Sequence, residues 1–142
     1  MKLILCRNRS IGSWFLRAAM WSRWSHAAVY DERDGIVYDS TFWQGGVKSH
    51  FYTDFCERYP QREIRDLTPE VTDSSARYWL AAQIDKPYDW TALLSFVVHR
   101  NWQDPDSWFC SELAESVRDQ FGVPRFRAAV SRITPLHQDM VV

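Results

Sequence analysis

The stretch from Ser25 to Phe42, SHAAVYDERDGIVYDSTF, restricts the fold most strongly because its pattern is that of a β-hairpin. Two apolar runs flank a tight turn around Asp34 and Gly35. Whether the loop has two or four residues, even-numbered positions on the first strand share a face with odd-numbered positions on the second. We therefore expect His26 and Asp39 on the same side of an antiparallel sheet.

The segment SWFCSELAESVRDQFG, residues 107–122, has the pattern of a helix. Ser107 is the predicted N-cap, and Gly122 with Pro124 is the stop signal. The apolar face consists of Leu113, Val117 and Phe121. Cys110 would then lie in the first turn, where free backbone N–H groups and the helix dipole stabilise a thiolate. The alternative is a small apolar residue packed under Trp108 and Phe109.

Other segments complete a mixed pattern of strands and helices. After a cap at Ser10, apolar residues recur on one face of a predicted amphipathic helix that packs on the sheet, namely Ile11, Trp14, Phe15, Ala18 and Trp21. Residues 2–6, 47–51 and 61–67 are predicted strands, the last with Ile64 and Leu67 inward. A short helical turn is predicted at 51–57. Further helices are expected after Thr68, with Ala76, Trp79, Leu80 and Ile84 inward, and over 90–100, and another strand near 128–133.

These segments predict an α+β fold in which an antiparallel sheet packs against helices on one side, forming one domain over residues 1–142. The formal net charge of −1 argues against a nucleic-acid partner. The longest apolar run, TALLSFVV, is too short to span a membrane. The N-terminal stretch MKLILCRNRS has only a few apolar residues before Arg7 and Arg9, too few for the apolar region of a signal peptide, so we expect a protein that is cytoplasmic as synthesised.

The three cysteines, Cys6, Cys56 and Cys110, are widely spaced and form no C-x-x-C pair. Neither a disulfide framework nor a zinc site is therefore expected, and no metal or other cofactor is predicted. Cysteine catalysis needs a sulfur at a helix start, a nearby histidine and a polar group that orients its ring. Cys110, His26 and Asp39 can supply these, with Thr41 as a substitute for Asp39.

The other histidines fit the role of base less well. His50 is close to a predicted turn, His99 ends a predicted helix and His137 lies in the last segment. His26 is distinguished from them by a carboxylate expected on the same face of the hairpin.

At these residues the chain resembles the permuted branch of the NlpC-type papain-like cysteine peptidases, the YiiX-like proteins related to lecithin retinol acyltransferase. The similar stretches are WSHAAVYDERDGIVYDS, DKPYDW, SWFCSELAESV and the ending SRITP. The resemblance implies a circularly permuted papain-like fold, with Cys110 as nucleophile, His26 as base and Asp39 in the place of the third polar residue. It also implies that Tyr88 lies near the thiol and contacts substrate or an oxyanion; the alternative is an aromatic plug between helices.

The resemblance implies a hydrolase that forms an acyl-cysteine, acting on amide bonds of peptidoglycan stem peptides. The alternatives are a hydrolase or acyltransferase for lipid or other acyl esters and thioesters, and a non-catalytic ligand-binding or assembly module. A wall substrate without an export signal would require delivery by a phage tail, a secretion apparatus or lysis. Besides Tyr88, the candidate substrate-binding residues are Ser25, Trp24 and Trp108, although tryptophans suit a core equally well.

Overall fold

The computed structural model describes residues 1–67, 73–90, 106–121, 126 and 133–140. Five strands form one antiparallel sheet: β1 (Lys2–Arg7), β2 (His26–Asp31), β3 (Ile36–Thr41), β4 (Gly46–Phe51) and β5 (Gln61–Asp66). Their order across the sheet is β4-β3-β2-β1-β5. The described helices are α1 (Ile11–Ala19), α2 (Tyr52–Arg58), α3 (Asp73–Gln83), α4 (Cys110–Phe121) and α5 (Pro135–Met140). The predicted α+β class with an antiparallel sheet is confirmed.

The β2–β3 hairpin has the predicted parity. Val29 pairs with Tyr38, and Gly35 closes the turn with a positive φ of 69° and an N–H that donates to the carbonyl of Asp31. Pairing between the two strands stops at Val29, whereas β2 continues to pair with β1 as far as His26. The sheet is therefore open between the start of β2 and the end of β3.

Helices cover both faces of the sheet. On one face, α3 and α4 pack against Leu3, Leu5 and Val29. On the other, Phe55 of α2 packs in a second cluster with Ile4, Cys6, Ala28 and Val37. The expectation of helices on one side is wrong, because alternate residues of β1, β2 and β3 are apolar on both faces and each face needs a cover.

Helix α1 is turned the opposite way from the prediction. Ser10 caps it as expected, its side chain accepting from the Ser13 N–H at 3.1 Å. The residue that α1 buries is Ser13, whose hydroxyl lies 2.7 Å from that of Ser25. The apolar stripe that was predicted to pack on the sheet faces solvent instead, because this hydroxyl pair holds the helix by its polar face.

Two smaller predictions have different outcomes. On β5, Leu67 is buried just after the strand, but Ile64 is 43% exposed because no described helix covers that side of the edge strand. The apolar face of α3 packs as predicted, with Ala76 and Leu80 fully buried and Trp79 and Ile84 against the core.

Several predicted features lie outside the described residues. They are the helix start at 68–70, the body of the helix at 91–100, the stop after Phe121 and most of the strand near 128–133. Within the described part of the chain, no helix combines the length and apolar character needed to cross a membrane.

Candidate active site

Cys110 is the first residue of α4, so its backbone N–H is one of the amide groups that a helix start leaves without an intrahelical partner. The predicted N-cap, Ser107, is wrong by two residues, since the cap position falls on Phe109. The Phe109 N–H is instead satisfied by the carboxylate of Glu112 at 3.0 Å. Glu112 therefore supplies the acidic half of a capping box, in which the residue at the third helical position accepts from the N–H of the cap residue.

The backbone ahead of α4 is held by two other segments. The Trp108 N–H donates to the Pro87 carbonyl at 3.0 Å, and the Ser40 hydroxyl on β3 donates to the Trp108 carbonyl at 2.6 Å. These bonds attach the helix start to the open end of the sheet. Cys110 is therefore positioned next to the first residue of β2.

His26 connects the sulfur to a carboxylate. Its Nε2 lies 2.9 Å from Oδ2 of Asp39, and Cys110 lies close enough to the ring to raise the pKa of His26. The ring stacks on Tyr59, with centroids 5.0 Å apart and planes 15° from parallel. Because Nε2 is bound to Asp39, Nδ1 is the ring nitrogen left for the sulfur.

The charges of this group are strongly coupled. Burial alone lowers the pKa of His26, but the hydrogen bonds and negative charges of Asp39 and Cys110 outweigh it and raise the pKa to about 10. Burial acts to raise the pKa of Asp39, yet the two neighbouring histidines, His26 and His50, lower it to about 2. Near neutral pH the arrangement therefore favours an imidazolium held by a carboxylate.

Asp39 lies between two histidines. Its side chain is fully buried, and while Oδ2 faces His26, its Oδ1 lies 3.1 Å from Nε2 of His50 on β4. His50 is also 3.3 Å from Oε1 of Gln44, which accepts from the Thr41 hydroxyl at 2.9 Å. Thr41, the alternative to Asp39 in the sequence prediction, thus bonds Gln44 beside His50 instead of the His26 ring.

Cys6 is a useful contrast to Cys110. It lies opposite His26 in the β1–β2 pairing and is fully buried in the second cluster. Burial and the charge of Asp39 raise its pKa well above the ordinary value. Its sulfur is therefore kept as a neutral thiol and serves packing.

Cys110 itself is only 3% exposed and packs with Met20 and Phe109. It nevertheless contributes to the wall of a cleft of about 100 Å³ that is open to solvent. The cleft lies between α1, the strand ends and the segment at Tyr88. Its lining residues are Asn8, Ser10, Gly12, Ser13, Leu16, Ser25, His26, Ser40, Thr41, Phe42, Trp43, Tyr59, Tyr88 and Cys110.

Two of the four candidate substrate-binding residues lie at this cleft. Tyr88 is half-buried and its ring lies 5.8 Å from that of Phe109, while burial and the charge of Cys110 raise its pKa. Ser25 lines the cleft through the hydroxyl that contacts Ser13. Both positions fit contact with a bound substrate.

Trp24 and Trp108, the other two candidates, are not among the residues that line this cleft. Trp24 is buried, and its indole N–H donates to Asp139 of α5 at 3.2 Å. The Trp108 indole donates to Gln83 at 3.1 Å and packs edge-to-face on Trp79. Both rings pack with the core cluster that contains Leu3, Leu5 and Val29.

Sequence reasoning missed Tyr59 and His50. Tyr59 follows α2, in a segment without a clear pattern, and no local signal identifies it. His50 shares the face of Asp39 because Val37 pairs with His50. The same parity rule would have found it had the register across the Gly45–Gly46 turn been known.

Among the described residues, no group of three or more His, Cys, Asp or Glu side chains has an arrangement that could hold a metal ion. Comparisons with family models, with curated proteins and with solved structures find no significant match to this chain. The functional conclusion therefore depends on the geometry of the cleft.

Proposed function

We propose that this protein is a cysteine-nucleophile hydrolase that acts through an acyl-cysteine intermediate, on a circularly permuted papain-like fold. The observation that carries the proposal is the buried chain of contacts from Cys110 through His26 to Asp39 at the wall of an open cleft. The histidine-bearing strand precedes the cysteine-bearing helix along the chain, and this order supports the permuted arrangement. An imidazolium beside a sulfur favours the thiolate that attacks carbonyl carbon.

In the proposed reaction, Nδ1 of His26 takes the Cys110 proton and the sulfur attacks an acyl carbonyl. The Cys110 backbone N–H, free at the helix start, stabilises the oxyanion; such donors are worth ~3 kcal/mol each. The tetrahedral intermediate collapses, His26 returns its proton to the leaving amine or alcohol, and an acyl-cysteine remains. Water then gives a proton to His26 and attacks the acyl carbon, which releases the acid and restores the thiol.

We propose amide bonds of peptidoglycan stem peptides as the substrate, following the sequence resemblance. A second candidate, hydrolysis or transfer of acyl esters and thioesters, is favoured by the apolar rim of the cleft, where Phe42 and Trp43 are exposed. Aromatic side chains at the mouth of a cleft suit an acyl chain. The acceptor of the acyl group, water or a second substrate, separates hydrolase from transferase.

The test is incubation with purified muropeptides and, separately, with phospholipids, followed by mass spectrometry of the products. We expect one set of substrates to be cleaved by wild type and by Cys56→Ala, a matched control on α2 outside the cleft. Cys110→Ala should be inactive, and single-turnover samples of wild type should contain a mass adduct on Cys110.

Activity that survives in Cys110→Ala would refute the proposed nucleophile. The non-catalytic alternative predicts instead that Cys110 reacts with iodoacetamide as an ordinary thiol, with a pH dependence centred near 8.5. Wild-type alkylation that is already rapid at pH 6 would exclude that alternative.

A further inference from the structure

A set of large apolar side chains is exposed on α1, just after it, and in the turn that follows β3. Helix α1 presents Ile11, Trp14 and Phe15 to solvent, Trp21 follows the helix, and Phe42 and Trp43 lie in the 3₁₀ turn Phe42–Gln44. Their exposed fractions range from 61% to 89%. We refer to these six residues as the aromatic surface. Singly exposed apolar residues are ordinary, but a concentration of this kind marks an interaction site.

Trp21 is exposed although its backbone conformation is unfavourable for a residue other than glycine. Its φ is 51°, in the left-handed region that glycine normally occupies after a helix. The N–H of Trp21 donates to the Ala18 carbonyl and that of Ser22 to the Arg17 carbonyl, which are the two bonds of a Schellman motif. A bulky ring at this position, 89% exposed, does not contribute to the core.

The N-terminal part of the sequence, which carries α1, is basic. The first thirty residues contain Lys2, Arg7, Arg9, Arg17 and Arg23 and no acidic residue, although the whole chain has a net charge of −1. Arg23 pairs with Glu63 and Asp139, but within the described residues Arg9 and Arg17 form no ion pair. The region that carries the exposed rings therefore has uncompensated positive charge.

Part of the aromatic surface reaches the cleft. Phe42 and Trp43 line it, whereas α1 contributes Gly12, Ser13 and Leu16, which lie on a different face of the helix from its exposed apolar residues. A layer that covers Phe42 and Trp43 therefore lies at the edge of the opening that leads to Cys110.

We propose that the aromatic surface docks this protein on an anionic lipid bilayer, with Phe42 and Trp43 bringing the edge of the cleft close to the lipid. A helix with an apolar stripe and basic neighbours lies in the membrane interface, with the rings among the headgroups and upper acyl chains. Each Lys or Arg near such a surface adds about 1 kcal/mol of attraction. Charge complementarity selects the anionic bilayer as the occupant over a second copy of this chain, whose same surface would also be positive.

The docking is independent of the proposed chemistry, so the test uses the Cys110→Ala protein. Co-sedimentation with vesicles of phosphatidylcholine alone and of phosphatidylcholine with 30 mol% phosphatidylglycerol, a composition chosen as roughly that of an anionic membrane, measures partitioning. We expect binding to the anionic vesicles only, weakened by salt. Ile11→Asn combined with Phe15→Ser should reduce it about tenfold or more.

Matched controls separate docking from folding. Tyr78→Ser removes a ring that is 81% exposed on α3, remote in sequence from the aromatic surface, and should leave binding unchanged. Arg9→Gln with Arg17→Gln should weaken binding, whereas Arg58→Gln on α2 should not. Trp21→Gly is the sharpest variant, because it should raise the melting temperature by removing the left-handed tryptophan and yet lower vesicle binding.

Failure to bind either kind of vesicle would overturn the proposal. So would binding that the α1 variants leave intact. A wild-type dimer in sedimentation equilibrium that the α1 variants convert to monomer would assign the aromatic surface to a second copy of the chain instead, and this too would overturn it. Muropeptide or lipid turnover by the proposed mechanism stands or falls separately, because the vesicle assay contains no active nucleophile.

Discussion

Replacing Asp39 by asparagine tests the electrostatic coupling on which the site depends. The pKa of His26 is raised from 6.5 to about 10 although burial opposes the increase, and the Asp39 hydrogen bond is the largest effect that raises it. At ~1.4 kcal/mol for each pKa unit, the net balance of burial and these interactions favours the protonated ring by roughly 5 kcal/mol. Asparagine keeps a hydrogen-bonding side chain but removes the charge, so we expect the pKa of His26 to fall by roughly 1–3 units.

The assay is the rate of Cys110 alkylation by iodoacetamide between pH 5 and 10, read by peptide mass spectrometry. In wild type the imidazolium persists above neutrality, and we expect rapid alkylation across this range. In Asp39→Asn, a His26 pKa of about 8 would leave roughly a tenth of the rings protonated at pH 9, against about nine-tenths at a pKa of about 10, so the rate at pH 9 should fall about tenfold. Cys6, fully buried, serves as an internal reference that should stay unreactive in both proteins.

The same variant changes how stability depends on pH. A histidine whose pKa is raised on folding stabilises fully below its unfolded pKa of 6.5, and this stabilisation is lost as pH rises through about 10. The lowered pKa of Asp39 contributes stability above 3.8 that is lost as pH falls through about 2. The melting temperature of wild type should therefore fall more steeply between pH 7 and 10 than that of Asp39→Asn.

Asp66→Asn is the control, since it removes an exposed carboxylate at the sheet edge that pairs with Lys2. It should leave Cys110 alkylation unchanged. An Asp39→Asn protein that is folded and alkylates at the wild-type rate would refute the argument that this carboxylate retains the proton on His26.

Three further changes test other parts of the structure. His50→Ala removes one of the two histidines at Asp39, so it should raise the pKa of that carboxylate, which still stays ionised at pH 9. Cys110 alkylation at pH 9 should therefore slow less than in Asp39→Asn, and equal or greater slowing would contradict this ranking. Burial raises the pKa of Glu112 to about 7, so wild type loses stability as pH rises from 4.5 through 7. Glu112→Gln should therefore be more stable than wild type by about 1–3 kcal/mol at pH 8. The two proteins should be equally stable at pH 4, and urea unfolding measures both differences. Gly46→Ala should lower the free energy of unfolding by about 2–4 kcal/mol, because the φ of Gly46 is 142° and a Cβ there would overlap the Lys86 carbonyl. Gly12→Ala should be neutral or stabilising, because the atom nearest to the new Cβ is 4.0 Å away.

The hairpin shows how far sequence reasoning reaches. Alternation and the Asp34–Gly35 turn place His26 and Asp39 on one face, because the period of a strand is a local property of the backbone. The same reasoning could not foresee that β2 and β3 separate beyond Val29. That separation creates the opening in which the side chains meet, and it depends on α4 and on Trp108 as well as on the strands.

Helix α1 shows where periodicity is insufficient. The stripe of Ile11, Trp14 and Phe15 identifies an amphipathic helix, but periodicity does not say whether the apolar face is buried by the protein or offered to a partner. The Ser13–Ser25 contact decides it, and that contact joins two segments whose proximity is not encoded locally. Trp24 and Trp108 illustrate the same limit, since both lie beside site residues in sequence yet point into the core.

The sequence alone determined the strand alternation, the cysteine at a helix start and the residue types of the candidate triad, because these follow from local backbone geometry and side-chain chemistry. The tertiary structure decided which histidines meet Asp39, that Tyr59 stacks on His26, and which face of α1 is exposed. Each of these outcomes depends on contacts between residues distant in sequence. Those contacts form according to how the whole chain excludes water and satisfies buried polar groups.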